Sequence, residues 1–197
     1  MGTLSIANSE FILGGQKSGK SRRAEMLART WLDQSTDHRA VLIATAQPWD
    51  DEMRQRIARH QADRALRVPG MATVEEPLAL AQAIAQHSQP DTLVVVDCLT
   101  LWLTNALMPV GAEGFMENEP LAPVEYSGIA SLLIAINESQ GPVVLVGNEI
   151  GLGVIPMGRA VRAFVDALGR LNQDVASACQ RVTLMAAGLP LYLKEFR

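Results

Sequence analysis

The residues Gly14-Gly15-Gln16-Lys17-Ser18-Gly19-Lys20-Ser21 carry a glycine, then four residues, then Gly-Lys-Ser. That spacing suits one chemistry. Glycines let the backbone curl until several N–H groups converge on a phosphate. A helix starting at the end of such a loop adds the positive end of its dipole. Lys20 can reach β- and γ-phosphates, and the Ser21 hydroxyl can bind Mg²⁺. A nucleoside triphosphate is therefore the expected ligand. The acid that usually accompanies such a loop ends a hydrophobic strand. Asp97, after Leu93-Val94-Val95-Val96, fits that position. It would hold Mg²⁺ through water or act as a base. Ser21 and Asp97 are thus the candidate metal ligands.

A second group of reactive residues follows. Met53, Ile57, His60 and Arg64 fall at intervals that place them on one face of a helix. Arg54, Arg56, Arg59, Arg64 and Arg67 crowd the same stretch, with Asp63 as the acid among them. Such a cluster reads either as a solvated basic helix or as a local anion site. In the second case His60 would attack phosphorus and form a phosphoramidate. His38 and His87 lie in polar stretches and are expected at the surface.

These residues need elements to position them. Phe11-Ile12-Leu13 is a short apolar run ending in two glycines, and Ala24, Leu27, Ala28, Trp31 and Leu32 follow at helical spacing within 21–32. Val41 to Ala44, Leu93 to Val96, Val143 to Val146 and Val182 to Ala186 predict further strands, with a last one over Leu191 to Leu193. Helices are expected over 50–64, capped by Asp50, and over 78–86, 99–107, 129–138 and 160–179. Alternating strands and helices predict an α/β chain with a mostly parallel sheet covered by helices on both faces. One domain is expected, with residues 1–10 as an N-terminal extension. Residues 111–128, rich in Gly, Pro and Glu, read as a mobile acidic loop.

Bulk properties narrow the function. The net charge of −4 gives no general attraction to nucleic acid or anionic membranes, so an anion site must be local. Aromatics at 5% are too few for a base-stacking platform. Two separated cysteines, Cys98 and Cys179, and three histidines make a zinc site improbable. Cys98 sits in an apolar run, where a reduced core thiol is expected. There is no basic-then-apolar leader and no long apolar span, so a cytoplasmic protein without a membrane segment is expected.

In order, these motifs resemble the bifunctional adenosylcobinamide kinase / adenosylcobinamide-phosphate guanylyltransferase family of cobalamin biosynthesis. The resemblance runs from about Phe11 to Lys194. Its carriers are Gly14 to Arg22, Ile43-Ala44-Thr45-Ala46, Asp50 to Met53, Arg56 to His60, Asp97 to Thr100, Thr104-Asn105, Asn148 to Pro156 and Gly169 to Gln173. It implies a RecA-like P-loop fold and a homotrimer. It also implies two reactions with ATP or GTP and Mg²⁺. The corrinoid adenosylcobinamide is phosphorylated, and GMP then passes from GTP through His60 to the product. By position, Gly14 to Ser21, Ala44, Thr45, Ala46, Gln61, Ala62, Asp63, Arg64, Glu75 and Asp97 would contact nucleotide, with Glu76 able to replace Glu75. The chain departs from the family pattern at Lys17, Ala65 and Met71. Two other classes stay open on the residues alone: a small-molecule kinase without guanylyl transfer, and a non-catalytic nucleotide-binding module.

Overall fold

A computed structural model describes residues 5–48, 50–108, 126–154 and 157–195. The elements run β1 (Ser9–Gly14), α1 (Lys20–Leu32), β2 (Arg39–Ala44), α2 (Asp51–Arg67), β3 (Ala72–Glu75), α3 (Leu80–His87), β4 (Thr92–Asp97) and α4 (Leu99–Leu107). They continue with α5 (Tyr126–Asn137), β5 (Val143–Val146), α6 (Arg159–Ala178), β6 (Arg181–Ala186) and β7 (Leu189–Lys194). The strands form one sheet in the order β3-β2-β4-β5-β1-β6-β7. Neighbours pair in parallel except β6 with β7, which run antiparallel.

The central strands carry unbroken apolar runs, Phe11 to Leu13, Leu93 to Val96 and Val143 to Val146, because both faces are covered there. Period-2 geometry then divides each strand between two cores. Phe11, Val94, Val96, Val143 and Leu145 pack with α3, α4, α5 and α6. Ile12, Leu93, Val95, Val144 and Val146 pack on the other face against Ala24, Leu27 and Ala28 of α1. Each fully buried Leu, Ile or Val contributes about 1.5–3 kcal/mol relative to exposure.

The expected elements are present, with corrections. β1 begins at Ser9, so the last two residues of the expected extension belong to the sheet. Strand β3 was not expected. Its Ala-Thr-Val-Glu sequence is short and mostly exposed on the sheet edge, which leaves no burial pattern to read. Of the expected mobile loop, 111–125 lies outside the described residues, and 126–128 open α5 instead. His87 ends α3 and is half-buried. His38 stacks on Trp31 with ring centroids 3.7 Å apart and planes 4° apart. Both cysteines are buried free thiols, and burial pushes each up to about 12. Among the described residues, no helix is long and apolar enough to cross a membrane.

Candidate active site

The phosphate loop joins β1 to α1 at the carboxyl edge of the sheet. Gly14 must be glycine for lack of room. A Cβ there would lie 2.5 Å from both Met185 O and Ser18 Oγ. Gln16 and Lys17 are exposed at the tip, and Ser18 is buried beneath them. Gly19 stands at the N-cap of α1 with φ 101°, and no side chain caps the helix there. The first-turn N–H groups of α1 are thus left for a ligand. Lys20 is buried and donates to Gly15 O at 2.6 Å, so its ammonium lies over the loop.

The β6–β7 hairpin braces this loop from outside the parallel sheet. Its two-residue turn, Ala187-Gly188, has φ 51° and 80°, as a type I′ turn requires. Gly188 N donates to Ser18 O at 3.0 Å. A Cβ on Gly19 would lie 3.3 Å from Gly188 Cα, so the two backbones are in close contact. The helix behind the loop is anchored as well. Arg23 donates to the fully buried Glu10 at 2.8 Å, and Glu10 also accepts from Thr183 at 2.8 Å and Arg181 at 3.2 Å. Burial works to lower the Arg23 pKa, but Glu10 and Tyr192 more than reverse it, leaving it raised.

Across the same edge, register aligns Glu75, Ala44 and Asp97 in one row over β3, β2 and β4. Asp97 has Ser21, Arg64, His60 and Lys20 near enough to favour its charged form. Burial raises its pKa despite these four partners. Burial likewise lowers the pKa of Lys20, against the pull of Asp97 and Cys98. Five groups from three elements therefore gather: Lys20 and Ser21 of α1, Asp97 of β4, and His60 and Arg64 of α2. Ser21 and Asp97 offer hard oxygen donors beside each other. That set suits Mg²⁺, which takes few protein ligands and completes its shell with phosphate and water. Accordingly, no cluster of three or more His, Cys, Asp or Glu suited to a metal occurs among the described residues.

Helix α2 starts at Asp50, whose carboxylate accepts from Met53 N at 2.7 Å. Gln61 reaches Glu75 at 3.2 Å and Arg64 reaches Thr73 at 3.4 Å, so both face β3. The run 61–64 does not act as one patch, because successive helical residues turn by about 100°. Ala62 is exposed. Asp63 pairs with Arg67 at 3.2 Å, and Arg67 also pairs with Glu25 of α1 at 3.0 Å. The arginine cluster is smaller than expected, since Arg54 pairs with Asp51 and Arg67 with two acids. Arg64 lies within electrostatic reach of Asp97, and burial lowers its pKa against the pull of that acid and of Glu25.

Ala44 and Ala46 are half-buried, but Thr45 is fully buried. The Thr45 hydroxyl donates to Cys98 O at 2.7 Å and accepts from Cys98 N at 2.8 Å. It fastens the end of β2 to the end of β4, and its oxygen is occupied there. Asn105 donates to Thr45 O at 2.8 Å and to Pro77 O at 3.1 Å, fixing the same corner. Glu76 accepts from the N–H groups of Leu78 and Ala79 at the start of α3. Its carboxylate is thus engaged, whereas Glu75 faces α2. Sequence reasoning missed the roles of Glu10, Thr183 and Gly188. Only Gly188 had a local signal, a glycine between two apolar runs.

Comparison with known proteins agrees with this geometry. The family model described as cobinamide kinase / cobinamide phosphate guanyltransferase matches residues 10–193. The chain is 43% identical over 188 residues to the bifunctional adenosylcobalamin biosynthesis protein CobP of Pseudomonas aeruginosa, covering 94% of this chain and 96% of that one. It is 34% identical over 186 residues to the bifunctional adenosylcobalamin biosynthesis protein CobU of Escherichia coli, covering 93% and 98%. Among solved structures, the flagellar accessory protein FlaH from Methanocaldococcus jannaschii superimposes with a TM-score of 0.52 at 10% identity, covering 96% of this chain and 80% of that one. That likeness concerns the fold alone, a RecA-like P-loop sheet. The chain belongs to the cobinamide kinase / cobinamide phosphate guanyltransferase family.

Proposed function

We propose that this enzyme phosphorylates adenosylcobinamide with a nucleoside triphosphate and then moves GMP from GTP onto the product through His60. One observation carries the reading: His60 and Arg64 share the electrostatic surroundings of Asp97 with Lys20 and Ser21 of the phosphate loop. A plain kinase needs the loop and Asp97 but no nucleophilic histidine beside them.

In the first reaction the loop N–H groups and Lys20 hold the β- and γ-phosphates. Asp97 takes the proton of the attacking hydroxyl, a role that its raised pKa suits. In the second, an imidazole nitrogen of His60 attacks the α-phosphorus of GTP. A nitrogen–phosphorus bond forms, the bond to the β-phosphate oxygen breaks, and pyrophosphate leaves held by the loop. The ring gives up its second nitrogen's proton to solvent and takes one back when the nitrogen–phosphorus bond later breaks. A phosphate oxygen of cobinamide phosphate then attacks the same phosphorus, the nitrogen–phosphorus bond breaks, and a diphosphate linkage results. Arg64 neutralises phosphate charge as His60 approaches. Mg²⁺ held by Ser21, with Asp97 behind it through water, would screen the phosphate oxygens. Gln61 and Glu75, hydrogen-bonded to each other at 3.2 Å, would meet the nucleoside. We further infer a cytoplasmic site of action, where these nucleotides are found, and a homotrimer, the assembly that the family resemblance implies.

Incubation with α-labelled GTP and Mg²⁺, without corrinoid, tests the covalent step. The protein should take up label that survives alkali and is lost in acid, and chelating the metal should abolish it. Stoichiometric labelling of His60→Ala would remove the histidine from the mechanism.

A further inference from the structure

One segment that carries the family resemblance has no part in the chemistry above: the β5–α6 loop beginning at Asn148. It is tied directly to the phosphate loop, because Glu149 N donates to Gly14 O at 3.1 Å. Its base is fixed from inside. Asn148 N donates to Thr100 Oγ1 at 2.9 Å, Asn172 donates to Asn148 O at 3.1 Å, and the Glu149 carboxylate accepts from Gly151 N at 2.7 Å. Beyond that base, Ile150-Gly151-Leu152-Gly153-Val154 has no charge and no polar side chain. Its apolar side chains turn outward: Ile150 is 42% exposed, Leu152 83% and Val154 97%.

Single exposed apolar residues are ordinary. Three at alternate positions on a backbone fastened to the phosphate loop make a surface prepared for a ligand. We propose that Ile150, Leu152 and Val154 receive the apolar face of the corrinoid acceptor. The proposal rests on the functional reading above and deepens it. A hydroxyl accepting phosphate must come within about 3–3.5 Å of the γ-phosphorus. The macrocycle that carries it is far wider than the loop and must lie on a neighbouring surface. The β5–α6 loop is such a neighbour, and it is apolar where the rest of the site is charged. The other exposed apolar stripe, Leu189, Leu191 and Leu193, belongs to an edge strand. Free backbone there suits another polypeptide better than a macrocycle.

Leu152→Asp and Val154→Asp test the assignment, with Leu152→Met as the conservative partner. The readouts are KM and kcat for cobinamide phosphorylation, the rise in Tm on adding GTP, and the sedimentation of each variant. The aspartate variants should raise the cobinamide KM about tenfold or more, the loss expected for a large apolar contact. The GTP-induced rise in Tm and the sedimentation should match wild type, and Leu152→Met should keep its KM. An unchanged cobinamide KM in both aspartate variants overturns the proposal. So does a change in sedimentation that accounts for the lost activity, since the loop would then be a subunit contact. Absence of cobinamide turnover in the wild type, with GTP still raising Tm, would instead remove the functional reading itself.

Discussion

The two helices that bring reactive groups to the site are held in opposite ways. Helix α1 buries Lys20, Arg23, Ala24, Glu25, Leu27 and Ala28, and its leading loop is pinned by the β6–β7 turn. Helix α2 has no fully buried side chain among those described. Its attachments sit in its second half: Gln61 to Glu75, Arg64 to Thr73, Arg67 to Glu25, and Arg29 to the carbonyl of Arg67. The proposed phosphate cradle is thus firmly braced, and His60, the proposed nucleophile, rides on a helix anchored at one end. A group that must attack an α-phosphorus and later present it to a second substrate gains from freedom that a phosphate cradle cannot have.

The largest effect should come from the rigid side. Lys20→Ala should slow both phosphorylation and self-guanylylation by about a hundredfold or more, the usual loss for one charge-stabilising donor. Initial rates of each half-reaction check this, and full-rate guanylylation would mean that two separate nucleotide sites exist. Next in size is the brace. Gly188→Val forces a side chain into left-handed backbone at about 1–2 kcal/mol and should raise the KM for GTP. Gly70, with φ 91° and open space around it, lies between α2 and β3. Gly70→Val should lower Tm comparably with little change in that KM. Equal KM values in the two variants would break the contrast.

Smaller effects follow from charge. Burial raises the pKa of Asp97, so folding favours its protonated form. That contribution to stability is complete below the unfolded value of 3.8 and is lost as pH rises through the higher folded value. Asp97→Asn should therefore be at least as stable as wild type at neutral pH without ligand, although inactive. A clear drop in Tm would show that Asp97 supports the fold. Lys20 behaves inversely: its contribution is complete above 10.5 and is lost as pH falls through its lowered value. The smallest effect belongs to the loose helix. Arg67→Ala should cost about 0.2–1 kcal/mol, as a half-exposed ion pair does. Faster amide hydrogen exchange confined to α2 would locate it, and exchange spread evenly over the sheet would contradict a local tether.

Much of this was legible in the sequence, because the signals are local. The phosphate loop is a contiguous motif, the valine-rich runs mark strands buried on both faces, and Asp50 caps the helix that its position predicts. What escaped depends on partners remote in the chain. Thr45 reads as a site residue until its hydroxyl is found bridging Cys98. Glu10 reads as part of an extension until Arg23, Arg181 and Thr183 are seen to surround it. Residues 61–64 are expected together at the nucleotide, but helical rotation turns Asp63 to Arg67 and Arg64 to Thr73.

The Gly188–Ser18 hydrogen bond joins the loop after β1 to the turn before β7, so the earlier segment is synthesised long before its brace. The parallel strands and α1 can begin to associate during synthesis, but the loop stays unbraced until the closing hairpin emerges. A nascent chain halted before β6 should not be retained on immobilised GTP, whereas one released after β7 should. Nucleotide capture would then report that the hairpin has docked, and chains still lacking it could not compete for nucleotide.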